Sequence, residues 1–167
     1  GKARAFGVEG TLAAAVTDAL TLDASAAWED SKYTDFDNAP FIIFGPMNQN
    51  LLGYSAKGQD LVRAPRFVGT AGATYKMALG NGGSLDLHGD VYYNSGSNFD
   101  PAGQLRQPSF TMLNAAVTYR FPGGQLSLQF WGNNLTKAHR YATIEAAVPF
   151  GTYANDDTPR MYGATLT

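Results

Sequence analysis

Connection length constrains this chain more than any single motif does. Seven stretches alternate between apolar and polar residues with a period of two, as a strand with two unlike faces must. The first runs from Ala5 to Val16, with Phe6, Val8, Leu12 and Val16 on one face and Glu9 and Thr11 on the other. Thr17-Asp18-Ala19 turns into the second, where Leu20, Leu22, Ala24, Ala26 and Trp28 oppose Thr21, Asp23, Ser25 and Glu29. The third gathers Phe67, Gly69, Ala71, Ala73, Tyr75, Met77 and Leu79 on its apolar face and ends in the tight turn Gly80-Asn81-Gly82-Gly83. The fourth sets Leu85, Leu87, Gly89, Val91 and Tyr93 against Asp86, His88 and Asp90. The fifth sets Leu113, Ala115, Val117, Tyr119 and Phe121 against Asn114, Thr118 and Arg120. Pro122-Gly123-Gly124 leads into the sixth, where Leu126, Leu128 and Phe130 oppose Gln125, Ser127 and Gln129. The seventh begins near Arg160, with Tyr162, Ala164 and Leu166 on one face.

Residues 30–62, 94–108 and 134–158 are long connections in which no period survives. Connections therefore alternate, short after strands one, three and five and long after strands two, four and six. An up-and-down antiparallel membrane β-barrel sorts its connections this way, with tight turns at one end and long loops at the other. A soluble sandwich has no reason to. The fold expected is all-β, with strands of about ten residues that suit a tilted span. Phe67 and Phe110 near the long-loop ends, and Tyr75, Tyr119 and Phe121 near the short turns, are expected to form two interfacial girdles.

Composition narrows the classes further. Charged residues are 16%, against about 25% in ordinary soluble domains. There is no cysteine, which removes disulfides, thiolate metal sites and cysteine nucleophiles. A net charge of −2 gives no footprint for nucleic acid. No run approaches the roughly 18 apolar residues of a membrane helix, a test that barrel strands never meet. The chain opens on Gly1-Lys2 with no initiator Met, as an excised segment would.

No constellation of residues points to catalysis. His88 and His139 lie on different elements with no carboxylate at metal-ligand spacing. Asp23, Glu29, Asp86 and Asp90 fall on polar strand faces, where they are expected to line a wet interior or bond a plug. Gly69 to Lys76 lacks the spacing of a phosphate loop and lies inside a strand. Arg63, Arg66, Arg106 and Arg140 sit near long-loop ends, suited to interfacial anchoring or to anionic lipopolysaccharide. The expectation is a non-enzyme with no metal and no cofactor.

Trp131-Gly-Asn-Asn134-Leu135-Thr136-Lys, with Tyr141 after it, resembles the W-x-x-N-L-[ST]-[DN]-x-x-Y signature of TonB-dependent outer-membrane receptors. In that family a long loop, a Pro-Arg-x-Tyr-Gly motif and a last strand follow. Here Pro159-Arg160-Met161-Tyr162-Gly163 stands in that place. Arg63-Ala64-Pro65-Arg66 is similar to the stretch that opens a late barrel strand in the same receptors. The resemblance implies a bacterial outer-membrane barrel of about 22 strands with a plugged lumen. It makes residues 1–167 the C-terminal part of that barrel, about its last seven strands, with the plug domain and earlier strands absent. It further implies uptake of a scarce large solute, such as siderophore-bound iron, cobalamin or an oligosaccharide. The TonB–ExbB–ExbD system would supply energy through the plug, and lipid or lipopolysaccharide would surround the barrel.

Candidate ligand contacts are loop residues of aromatic or polar type: Phe41, Phe44, Asn98, Phe99, Arg106 and Tyr153. Two other readings compete. One is a passive outer-membrane porin or adhesin barrel. The other is a soluble all-β carbohydrate-binding module.

Overall fold

A computed structural model describes residues 1–167. It contains thirteen strands and no helix: β1 (Lys2–Ala15), β2 (Leu20–Asp35), β3 (Ile42–Ile43), β4 (Gln49–Asn50), β5 (Phe67–Ala78), β6 (Ser84–Asn94), β7 (Ser97–Asn98), β8 (Arg106–Gln107), β9 (Phe110–Arg120), β10 (Ser127–Asn133), β11 (Tyr141–Ala147), β12 (Gly151–Asp156) and β13 (Met161–Leu166). Seven of them form one antiparallel sheet in the order β1-β2-β5-β6-β9-β10-β13, so each strand pairs with its neighbour along the chain. The up-and-down order expected from connection lengths is the order found. The remaining six strands pair in twos inside the long connections.

Register sorts the two faces through the middle of the sheet. One transverse row reads Leu12-Ala24-Ala71-Val91-Leu113, and another reads Leu20-Tyr75-Leu87-Val117-Phe130-Ala164. On the opposite face lie Ser25-Thr70, Thr74-His88 and Gly72-Asp90-Asn114. Direct partners share a face in an antiparallel pair, so a slip of one residue would invert this sorting everywhere. Polar groups on this face bond across strands: Ser25 to Thr70 at 2.6 Å, Thr74 to His88 Nδ1 at 2.9 Å, Asn114 to Asp90 at 2.8 Å, and Arg120 to Asp86 at 3.1 Å.

The sheet has no core of its own. Only ten residues are buried, and the two apolar ones, Ala39 and Ala56, belong to a loop. Val8, Leu12 and Phe130 are 69%, 66% and 58% exposed. Leaving a side chain of this kind in water forgoes about 1.5–3 kcal/mol.

The aromatic residues on that face lie along sloping lines. At the long-loop end, Phe6 on β1 stands one register row above Trp28 and Phe67, and Tyr93 on β6 one row below them. From Phe6 to Tyr93 is four residues along the strands, about 13 Å, and three strand spacings across, about 14 Å, which gives a slope of about 43°. At the short-turn end, Tyr119 on β9 stands one row below Tyr75 on β5. Two residues along and two spacings across give about 35° in the same sense. A barrel strand tilted by about 35–45° brings such lines level with the membrane surface. The eight residues from Phe67 to Tyr75, about 27 Å of strand, then project to about 21 Å of height, close to the apolar band of a membrane barrel.

Three expectations are corrected. Phe110 is not part of the upper girdle: it pairs with Asn94 on the polar face and its ring packs 5.8 Å from Tyr92. Its even number already opposes it to Leu113 and Tyr119. β2 runs to Asp35 instead of ending at Glu29, because pairing with β1 continues to Lys2 after polar residues replace apolar ones. The third long connection is not structureless: it holds the hairpin β11–β12.

Candidate functional site

The three long connections leave the sheet at one end and bind one another there. In the first connection, residues 36–66, the Ile42 amide donates to Gln104 Oε1 at 3.0 Å and its carbonyl accepts from Gln104 Nε2 at 2.9 Å. Gln104 thus serves as a strand partner from the second connection. The Arg63 amide donates to the Asn98 carbonyl at 2.8 Å, and the Arg63 guanidinium lies 5.4 Å above the Phe99 ring. The second and third connections meet at Gln107, which is 5% exposed. Its Nε2 donates to the Pro108 carbonyl at 3.0 Å and the His139 carbonyl at 3.3 Å, while its Oε1 accepts from the Tyr141 amide at 2.7 Å. The Asn48 amide reaches the Pro149 carbonyl at 3.2 Å and joins the first connection to the third.

A recess of about 220 Å3 opens where all three meet, lined by Pro40, Ile42, Phe44, Phe99, Asp100, Gln104, Leu105, Ile144, Glu145 and Ala146. Of the residues singled out in the sequence, Phe44 and Phe99 meet there. Asn98 and Arg106 instead line a polar recess of about 320 Å3 with Asp60, Arg66 and Ser95. Phe41 is turned away and packs on Tyr54 at 4.6 Å. Tyr153 does not line the apolar recess; it is the cross-strand partner of Glu145 and donates its hydroxyl to that carboxylate, which holds the phenol above its usual range. Gln104, Gln107, Ile144 and Glu145 escaped the sequence reading. Glutamines and a short β-branched run inside a loop carry no periodic signal.

Ion pairs fix the base of the third connection. Arg140 pairs with Asp157, and His139 Nε2 lies 2.9 Å from Asp156. The Thr158 amide and the Arg140 guanidinium hold the Asp157 carboxyl below the usual carboxylate range. Both pairs border a polar cleft of about 590 Å3 that also includes Lys137, Pro159, Arg160 and Tyr162.

The sequence motifs acquire physical reasons. Asn134 is 5% exposed and has φ = 51°, a conformation Asn tolerates. Its side chain accepts from the Ala138 amide at 2.8 Å and donates to the Ala138 carbonyl at 2.9 Å. The Leu135 amide donates to the Leu113 carbonyl, and the Thr136 hydroxyl to the Thr111 carbonyl, each at 2.8 Å. Asn134, Leu135 and Thr136 therefore clip the top of β10 to β9. Trp131 faces Gly163 in register, and a Cβ at Gly163 would lie 2.8 Å from the indole. The ring crosses β13 there and donates from Nε1 to Thr165 at 3.3 Å. Tyr141 packs edge-on against His139 at 4.5 Å.

A family model described as TonB dependent receptor-like, beta-barrel matches residues 1–135. The chain belongs to that family. No curated protein matches the sequence. Among solved structures, the ferric yersiniabactin uptake receptor FyuA from Yersinia pestis aligns at TM-score 0.79 and 17% identity. The siderophore receptor PiuA from Acinetobacter baumannii aligns at 0.70 and 19%, and BauA, the ferric preacinetobactin receptor from the same species, at 0.54 and 17%. Each alignment covers 98% of this chain but only 23%, 21% and 26% of the respective receptor. The chain thus spans about a quarter of the length of these structures, and the likeness is one of fold. As a TonB-dependent receptor barrel segment it has an all-β antiparallel sheet, and the family is one of receptors.

Proposed function

We propose that this segment is the C-terminal wall, with three extracellular loops, of a bacterial outer-membrane receptor for energy-coupled uptake of a scarce large solute. The apolar face meets lipid and the polar face lines the lumen. The solute is siderophore-bound iron, cobalamin or an oligosaccharide. Energy comes from TonB–ExbB–ExbD acting on a plug domain elsewhere in the receptor. The observation that carries this reading is the junction of the three long connections at one end of the sheet, where Phe44 and Phe99 line an apolar recess. The three similar structures are all siderophore or ferric-siderophore receptors, which puts the siderophore class first.

In this reading Phe44 and Phe99 contact the solute directly. Asn98 and Arg106 offer polar contacts beside them, and Phe41 and Tyr153 support the loops. The test uses cells expressing the whole receptor and a panel of radiolabelled ferric siderophores, cobalamin and maltooligosaccharides. Uptake of one of these should stop when a protonophore collapses the proton-motive force, while surface binding persists. Uptake indifferent to the protonophore would replace this reading with a passive porin. Phe44→Ala with Phe99→Ala should weaken binding at least tenfold, and unchanged affinity would remove both residues from the site.

A further inference from the structure

The recess at the loop junction carries charge of one sign. Its apolar lining includes Phe44, Phe99, Leu105 and Ile144, and its only charged residues are Asp100 and Glu145. Asp100 Oδ1 accepts from the Leu105 amide at 2.6 Å, and Oδ2 from the Ala102 amide at 3.1 Å. Glu145 Oε1 accepts from the Thr143 hydroxyl at 3.3 Å, and Oε2 from the Tyr153 hydroxyl. Each carboxylate oxygen thus has one donor and keeps room for another. Arg63 lies over the Phe99 ring but outside the lining, and its guanidinium reaches the Ala142 carbonyl at 3.5 Å. The polar face of the sheet repeats the sign. Glu9, Asp23 and Glu29 lie on it and make no ion pair. The lysine and arginine of that face, Lys76 and Arg120, both flank Asp86. At about 220 Å3 the recess is smaller than the roughly 300–1,000 Å3 of sites that enclose a whole small ligand, so it fits one arm of a larger solute.

We propose that the recess receives an apolar arm of the solute that ends in a protonated amine. The carbons of the arm meet Phe99, Leu105 and Ile144, and the ammonium meets the Asp100 and Glu145 carboxylates. The phenyl faces of Phe44 and Phe99 add attraction for the same charge. A neutral apolar arm would strip water from both carboxylates without compensation. An arm ending in a carboxylate would set like charge against like. This inference rests on the reading that the loop junction receives the solute.

The test uses the whole receptor in nanodiscs with isotope-labelled isoleucine methyl groups. The Ile144 signal is identified by its loss in Ile144→Val. Butylammonium, butanol and butyrate, which differ only in the terminal group, are titrated separately at neutral pH. Butylammonium should shift the Ile144 signal with an affinity at least about tenfold above that of butanol, as two part-exposed ion pairs allow. Butyrate should leave the signal unmoved. Glu145→Gln and Asp100→Asn should each weaken butylammonium about fivefold, the upper worth of one such pair, and leave butanol unchanged. Heat-modifiable gel migration reports a folded barrel for each variant. Equal affinity for butylammonium and butanol, binding of butyrate, or folded variants that keep the wild-type preference would overturn the proposal. Uptake measured on the same receptor separates the two readings. Uptake that stops with the proton-motive force, in a receptor that does not prefer the amine, sinks the amine arm alone. Uptake indifferent to that force sinks the underlying reading.

Discussion

The contact between Trp131 and Gly163 gives the sharpest prediction about how the sheet is held at its last strand. Gly163→Ala places a Cβ 2.8 Å from indole Cζ2 and 3.1 Å from Cε2. These are rigid ring atoms, so the indole must tilt or β13 must move away from β10. Overpacking of this kind costs about 1–3 kcal/mol. Tilting the ring also endangers the bond from Nε1 to Thr165, worth about 1 kcal/mol. The penalty should vanish when the ring is absent. Trp131→Ala alone loses the ring's packing, but Gly163→Ala added to it should cost less than about 0.5 kcal/mol, leaving a coupling of about 1–3 kcal/mol. The assay is urea unfolding of the whole receptor in lipid vesicles, followed by far-ultraviolet circular dichroism, for the wild type, both single variants and the double variant. Additive costs within about 0.5 kcal/mol would refute the argument that Gly163 exists to admit the indole.

Two further predictions concern the loops. Gln107→Ala strands the Tyr141 amide and the His139 carbonyl, at about 1–3 kcal/mol each where they stay dry, so the Tyr141 amide should exchange hydrogen at least tenfold faster. Unchanged exchange would mean that the second and third connections are joined elsewhere. The Asp157 carboxyl is held low, so its contribution is present above the usual carboxylate range and is lost as pH falls through its folded-state value. Proteolysis of residues 140–158, by a protease active in acid, should therefore accelerate below the usual carboxylate range in the wild type. Asp157→Asn should be fast already at neutral pH, and a flat wild-type profile would contradict the role given to the Arg140 pair.

The sheet was legible in the sequence because its two signals are local. Period-two alternation such as Leu85 to Tyr93 assigns faces without any knowledge of neighbours, and connection length sorts the two ends. Register came from the structure, which puts His88 beside Thr74, Asp90 beside Asn114 and Leu87 beside Tyr75. Phe110 lies next to a long loop, but its parity decides its face. The β11–β12 hairpin was hidden for a different reason. Tyr141-Ala-Thr-Ile-Glu-Ala-Ala alternates weakly, and its place is fixed by tertiary bonds through Gln107 and Arg63. The loop recess was the least legible part. Long-range pairing between side chain and backbone, such as Gln104 on Ile42, leaves no trace in spacing, and it sent Phe41 to Tyr54 while Phe44 joined Phe99.

The central claim is that odd and even residues of one strand face different solvents. Single cysteines are placed along β6 from Leu85 to Tyr93 in the whole receptor, with any cysteine outside this segment, which has none of its own, replaced by serine. Each is labelled with a nitroxide and its relaxation is measured with oxygen, which partitions into lipid, and with a water-soluble nickel chelate. At Leu85, Leu87, Gly89, Val91 and Tyr93 oxygen should dominate, and at Asp86, His88, Asp90 and Tyr92 the chelate should reach further. A period of two in antiphase for the two reagents is the predicted result. Equal accessibility along the strand, or the opposite phase, would contradict a sheet with lipid on one side and a wet lumen on the other.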